Sequence, residues 1–172
     1  MLNEDLNHTI DYWISELDQY KFSQLCAKPS ANSWSIGQVY MHLIDDTNYY
    51  IEQIKTCLSV NEHADGEAAP DAKIMFLNNE FPDEILEGAP ANSCMAQPES
   101  KNQLRNDLLN IKVEMNKLWK LIEENSPKGK TEHPGLGFFD AREWFQFADM
   151  HFRHHLRQKK RIDSFLKEMH NS

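Results

Sequence analysis

The chain is short of several features that commonly announce a function. Cysteine is scarce: Cys26, Cys57 and Cys94 are an odd number, without the paired spacing of a thiolate metal site or a redox Cys-x-x-Cys. That points away from a disulfide framework and towards reduced thiols in a cytoplasmic protein. Long apolar runs are missing, so no membrane span is expected. Met1-Leu-Asn-Glu-Asp lacks the basic start and apolar block of a secretory signal, which agrees with a cytoplasmic location. Positive charge is also short, with 18 Lys and Arg against 27 Asp and Glu, a net charge of −9. Nucleic-acid affinity comes largely from Lys and Arg neutralising phosphates, so that class of partner is set aside. The basic residues Arg153, Arg157, Lys159, Lys160 and Arg161 do cluster, but a solvated face complementing a helix C-terminal dipole accounts for them. There is no G-x-S-x-G elbow, and Gly135 and Gly137 do not read as a phosphate loop after a strand. Glu-x-x-His pairs of the di-iron bundle type are missing from the core positions. Alternating patterns long enough for a strand, and internal repeats, are not evident.

What the chain does have is helical periodicity. Leu6, Ile10, Trp13, Leu17 and Tyr20 predict an amphipathic helix from about Asn3 to Phe22, ended by Lys28-Pro-Ser-Ala-Asn-Ser. Ser35 and Gln38 form a capping box for a second helix, with Trp34 and Val39 as its staple and Ile36, Val39, Leu43, Tyr50, Ile54 and Leu58 as its apolar face. Ser100 and Gln103 start a third, whose stripe is Leu104, Leu108, Ile111, Met115, Leu118 and Ile122. Asp140 and Glu143 start a fourth, carrying Trp144, Ala148, Ile162, Phe165 and Met169 on one face. Between residues 59 and 99 the pattern dissolves, and Pro70, Pro82, Pro90 and Pro98 fall there; only Ala72–Leu77 reads as a short helix. The expectation is one all-α domain over residues 1–172, a four-helix bundle with a long crossover between its second and third main helices.

The chemistry concentrates in histidine. His151 and His155 lie four apart on the core stripe of the fourth helix, about 6 Å along its axis, where two imidazoles can converge. A buried ring needs a partner. A pair of core histidines bonded to backbone or carboxylate groups would satisfy that need, and so would a metal ion. His42, at the border of the second helix's apolar face, is a third candidate from a facing helix. His154 competes with His155 for the second position, since residues three apart also share a face. His8, His63 and His170 read as surface residues. Three neutral imidazoles suit Zn(II), Ni(II) or another borderline divalent ion and leave a coordination position open. Ligand imidazoles usually donate their second nitrogen to a carboxylate or carbonyl, which makes Asp46 and Asp45 candidate orienters. Trp34, Trp119 and Trp144 read as core or interface fillers.

The segment Trp34-Ser-Ile-Gly-Gln-Val-Tyr-Met-His42-Leu, together with His133-Pro-x-x-Gly137, Glu143-Trp144 and His151-x-x-x-His155-Leu-x-Gln158, resembles the DinB-like superfamily of bacterial four-helix bundles. These blocks cover the second and fourth helices. The resemblance implies His42, His151 and His155 as metal ligands and a loop position for His133. Characterised members include transferases and isomerases that use a low-molecular-weight thiol, bacillithiol or mycothiol, with a divalent metal, and many form homodimers. It therefore implies a metal-dependent thiol transferase acting on a small electrophile. For such an enzyme, the basic cluster around Arg153 and Arg157 is the expected site for the carboxylates of the thiol. Two alternatives remain open: a metal-dependent hydrolase of a small ester or amide, and a non-catalytic dimeric stress protein with a structural site. Substrate identity does not carry over, because residues 59–99 set this chain apart from short members.

Overall fold

A computed structural model describes residues 1–82 and 94–170, without the side chain of His170. Its helices are α1 (Leu2–Glu16), α2 (Phe22–Cys26), α3 (Ile36–Ser59), α4 (Pro70–Asn78), α5 (Lys101–Asn125), α6 (Ala141–His154) and α7 (Leu156–His170), with strands β1 (Lys130–His133) and β2 (Gly137–Asp140) between α5 and α6. The main helices form a ring in which α1 packs on α5 and α6, and α3 packs on the same two from the other side. The fold is the expected all-α bundle. Trp13, Tyr40, Phe145, Phe152 and Trp144 fill its centre. Trp13 meets Tyr40 edge-on at 5.0 Å, while the Tyr40 hydroxyl donates to the Trp13 carbonyl at 2.7 Å.

The helix starts follow the capping chemistry. Ser35 Oγ accepts from the Gln38 amide at 3.1 Å and Gln38 Oε1 accepts from the Ser35 amide at 3.0 Å, a reciprocal box. Asp140 and Glu143 do the same for α6, both at 2.8 Å. At α5 the box is half made: Ser100 accepts from the Gln103 amide, but the Gln103 side chain reaches the Glu99 amide instead. The whole predicted stripe of α5 is buried.

Four features depart from the sequence reading. The first helix ends at Glu16 and continues as a 3-10 turn over Leu17–Gln19, which keeps Leu17 and Tyr20 buried; Gln24 then caps the Lys21 amide and starts α2 afresh. The loop around His133-Pro-Gly-Leu-Gly is the turn of an antiparallel hairpin, so Gly135 and Gly137 do follow a strand, though not one that leads into a helix. Its four-residue strands are too short to show alternation. Gly137, at φ 80°, lets the Glu67 carbonyl approach where a Cβ would lie 2.6 Å away. The fourth helix is two helices, because His155 takes ψ −7° rather than the usual value of about −42°. The break re-phases the stripe: Ile162 and Leu166 are buried, whereas Met169, expected in the core, is exposed.

The fourth departure is Lys159. It is 3% exposed, not part of a solvated face, and its Nζ donates to Glu16 and to Asp163 at 2.5 and 2.7 Å. The bond to Glu16 ties α7 to the end of α1, while Asp163, one turn on in α7, holds the lysine in place. In the crossover, α4 is the short helix expected, with Pro70 in its first turn and a left-handed Asn79 closing it. Gly88 and Pro90, part of the predicted crossover, lie outside the described residues. No helix among those described is long and apolar enough to cross a membrane.

Candidate metal centre

The centre lies on the seam between α3 and α6. His42 is in the second turn of α3, fixed in register by the Ser35 cap. His151 is on the inward face of α6, and His155 is the residue at the α6–α7 break. His42 Nε2 and His155 Nε2 each stand 3.1 Å from His151 Nε2. The three rings have centroids 4.7–4.9 Å apart and stand nearly perpendicular to one another. Their ligating nitrogens all lie within 4.8 Å of one another. Of the competing pair, the structure brings His155 into this cluster. His154 points aside, its ring 5.3 Å from Phe81.

Burial sets the protonation state. It pushes His42 down to about 3, with His155 and His154 adding to the effect, and His155 down to about 4 against the opposing Gln158 hydrogen bond. His151 is held well below its ordinary value by burial and then by its two neighbours. All three are therefore neutral at neutral pH, the form that binds metal. Each neutral ring has a single proton. With that proton on Nδ1 in each ring, the three Nε2 atoms present lone pairs to one region, which a divalent cation can satisfy together; with it on Nε2, one ring donates to the next across 3.1 Å. Zn–N bonds of about 2.0–2.1 Å in tetrahedral array put ligand nitrogens about 3.3–3.4 Å apart, a few tenths beyond the 3.1 Å of the two pairs that His151 makes. The donor set fits the ion, and all three nitrogens lie within 4.8 Å of one another.

Around the three histidines the support is uneven. His155 Nδ1 is 2.8 Å from Gln158 Oε1, three residues on. The Nδ1 atoms of His42 and His151 are buried without a hydrogen-bond partner. Asp46, one of the two candidate orienters, comes near both: its carboxylate oxygens are 3.6 Å from His42 Nδ1 and 3.7 Å from His151 Nε2. Burial pushes its carboxyl up to about 6; the Tyr50 hydroxyl opposes that shift and Asp45 adds to it. Asp45 itself faces solvent. Rings pack on the cluster, with Trp34 5.1 Å from His42, Tyr50 5.8 Å from His151 and Phe81 6.1 Å from His151. His133 is not in the cluster; it stacks on Trp144 at 5.5 Å beside Phe139 and Phe147. His8 and His63 are exposed as expected, and the side chain of His170 lies outside those described.

Two arginines were expected to hold a thiol's carboxylates, and Arg153 is bonded within the fold. Its Nε donates to Asp149 at 2.9 Å and its Nη2 to the Asn79 carbonyl at 2.8 Å, so it neutralises a buried acid and clamps α4 onto α6. Arg157 is exposed on the first turn of α7. Sequence reasoning quoted Gln158 within the family motif without giving it a role, and did not single out Phe81. The three-residue spacing of Gln158 from His155 was a usable signal, while Phe81 carries none before the crossover is folded.

Fold and site together define a class: a helical bundle whose facing helices bring three histidines to one buried point able to hold a metal ion. Residues 5–158 match the family model of the DinB superfamily, and the chain belongs to that superfamily. Among curated proteins no relative matches this sequence.

Proposed function

We propose that this protein is a metal-dependent enzyme that transfers a low-molecular-weight thiol such as bacillithiol to a small electrophile. The observation that carries the reading is the convergence of three neutral, desolvated imidazoles from two facing helices, beside a carboxylate that water still reaches. His42, His151 and His155 would hold the ion, Zn(II) or Ni(II), through Nε2. A divalent ion there supplies Lewis acidity, which lowers the pKa of a thiol or water that reaches its open position. The protein's own part is to keep three ligands neutral, to exclude water through Trp34, Tyr50 and Phe81, and to offset positive charge with Asp46. Arg157, with Arg153 sharing its guanidinium, would receive the carboxylates of the thiol. Leu109, Val113 and Leu121, exposed on α5, support a homodimer.

Purified protein should contain one divalent ion per chain and consume a model electrophile only when thiol is added. His42→Ala should lose both ion and turnover. Turnover without thiol would favour hydrolysis of an ester or amide instead. Full metal occupancy with no turnover across a panel of thiols and acceptors overturns the enzymatic reading.

A further inference from the structure

We propose that Gln158 is a positioning residue that sets the tautomer of His155 and thereby makes its Nε2 available as a ligand. The inference rests on the reading of His42, His151 and His155 as a metal centre. A neutral imidazole carries one proton, and whichever nitrogen holds it cannot ligate. Gln158 Oε1 lies 2.8 Å from His155 Nδ1 and is an acceptor only, so the proton belongs on Nδ1 and the lone pair on Nε2. That lone pair faces His151 Nε2 at 3.1 Å, the direction of the cluster. The opposite amide orientation would donate a proton to Nδ1, drive the ring proton to Nε2 and close the site.

His155 is the ligand that needs such help. His42 and His151 sit inside regular helices, are almost fully buried and are wedged by Trp34, Tyr50 and Phe81. His155 stands at the break between α6 and α7, where ψ is −7°, and it is the least buried of the three. Packing fixes the first two, whereas a hydrogen bond fixes the third. Gln158 is placed for this by the first turn of α7, which the Lys159 bond to Glu16 holds against α1. An amide rather than a carboxylate accepts this hydrogen bond without putting a second buried negative charge beside Asp46.

The test compares wild type with Gln158→Met, which matches length but offers no carbonyl, and with Gln158→Glu, which restores an acceptor. Two readouts are taken: the His155 tautomer by long-range nitrogen–proton NMR on metal-free protein, and Zn(II) affinity by competition with a chromophoric chelator. Wild type and Gln158→Glu should show the proton on Nδ1. Gln158→Met should show it shifted towards Nε2 and bind Zn(II) about 10–100-fold more weakly, the usual effect of losing a group that orients a ligand. Circular dichroism and the metal-free thermal midpoint should stay unchanged, and Gln158→Ala replaces the Met variant if that one fails to fold. Unaltered tautomer and affinity in the apolar variant overturn this inference alone. Wild-type protein that takes up no Zn(II) overturns it together with the metal-centre reading.

Discussion

Removing His42 should abolish the stabilisation that a divalent ion gives this fold, and the size of that stabilisation can be worked out. His42 and His151 are 109 residues apart in sequence and sit on facing helices, so an ion held by the cluster joins α3 to α6 and favours the folded chain. With free Zn(II) at about one hundred times its dissociation constant, linkage supplies about 2.7 kcal/mol. In a chain of this size each kcal/mol moves the thermal midpoint by about 2–4 °C, so the expected rise is about 5–11 °C. His151, His154 and His155 stay near one another even in the unfolded chain and bind the ion weakly there, which moves the figure towards its lower end. The metal-free variant changes less than the burial of His42 suggests. Losing a buried ring costs about 2–5 kcal/mol, offset by about 1–3 kcal/mol because its unpartnered Nδ1 is no longer desolvated. The deciding quantity is therefore the metal-induced shift within each protein, measured by thermal unfolding in chelator and in excess Zn(II). His42→Ala should shift by less than about 1 °C, since only the neighbouring pair on one helix remains. A wild-type midpoint that the ion leaves in place, or an equal shift in the variant, refutes the reasoning.

Three other outcomes follow from the packing. Lys159→Met leaves Glu16 and Asp163 facing each other without a cation, and because both carboxylates keep some water the loss should be about 2–3 kcal/mol, below that of a fully buried pair; a urea midpoint equal to wild type would disprove this. Gly129→Ala puts a Cβ 1.9 Å from the Val60 carbonyl oxygen and 2.6 Å from that of Cys57, both backbone atoms, and should cost about 3 kcal/mol or more; undiminished stability to denaturant would show that the turn after α5 gives way easily. The third outcome concerns acid. His42 is lowered to about 3 and His155 to about 4, and His133 is lowered too, in each case chiefly by burial. The unfolded chain therefore binds these protons first, and the histidines' contribution is complete above pH 6.5 and is lost as pH falls through that value towards 4; Asp46, raised to about 6, works in the opposite sense below that pH but is one group against three. Each histidine protonated only in the unfolded state contributes a slope of about 1.4 kcal/mol per pH unit. A stability curve flat between pH 6.5 and 5 would contradict the burial of these rings.

The parts of the fold legible in the sequence are those decided within a few residues. Ser35 with Gln38 and Asp140 with Glu143 mark helix starts because a cap and its reciprocal partner are three residues apart. The α5 stripe is legible because one apolar face repeats over about five turns, from Leu104 to Ile122. What escaped was decided at a distance. Lys159 reads as surface charge in any local window, yet Glu16 meets it from α1 across 143 residues of sequence. The β1–β2 hairpin has no pattern of its own; it is stabilised by pairing, by the Ala68 bridge to Gly137 and by Trp144 Nε1 donating to Thr131 Oγ1 at 2.7 Å. Met169 followed the stripe only if the fourth helix stayed continuous, and the conformation of His155 ended that continuity.

The same division runs through the site. His151 and His155 were legible as a pair because four residues return a helix to the same face. His42 was legible only as a residue on a facing helix that could complete them. The supporting groups were less legible, because an amide side chain three residues from a histidine carries no charge to mark it. Asp46 does stand beside the cluster, but it is 3.6 Å from His42 Nδ1, beyond hydrogen-bonding distance, and the closest support is the amide of Gln158. A site of neutral imidazoles gains from that choice: a carboxylate bonded to each ring would bring three buried charges that the metal-free fold would have to carry. Aromatic packing around His42 and His151 orients without charge, and one neutral acceptor at His155 supplies what packing cannot give at a helix break. The metal-free protein can therefore keep its ligands aligned and unprotonated while leaving positive charge to be supplied by the ion.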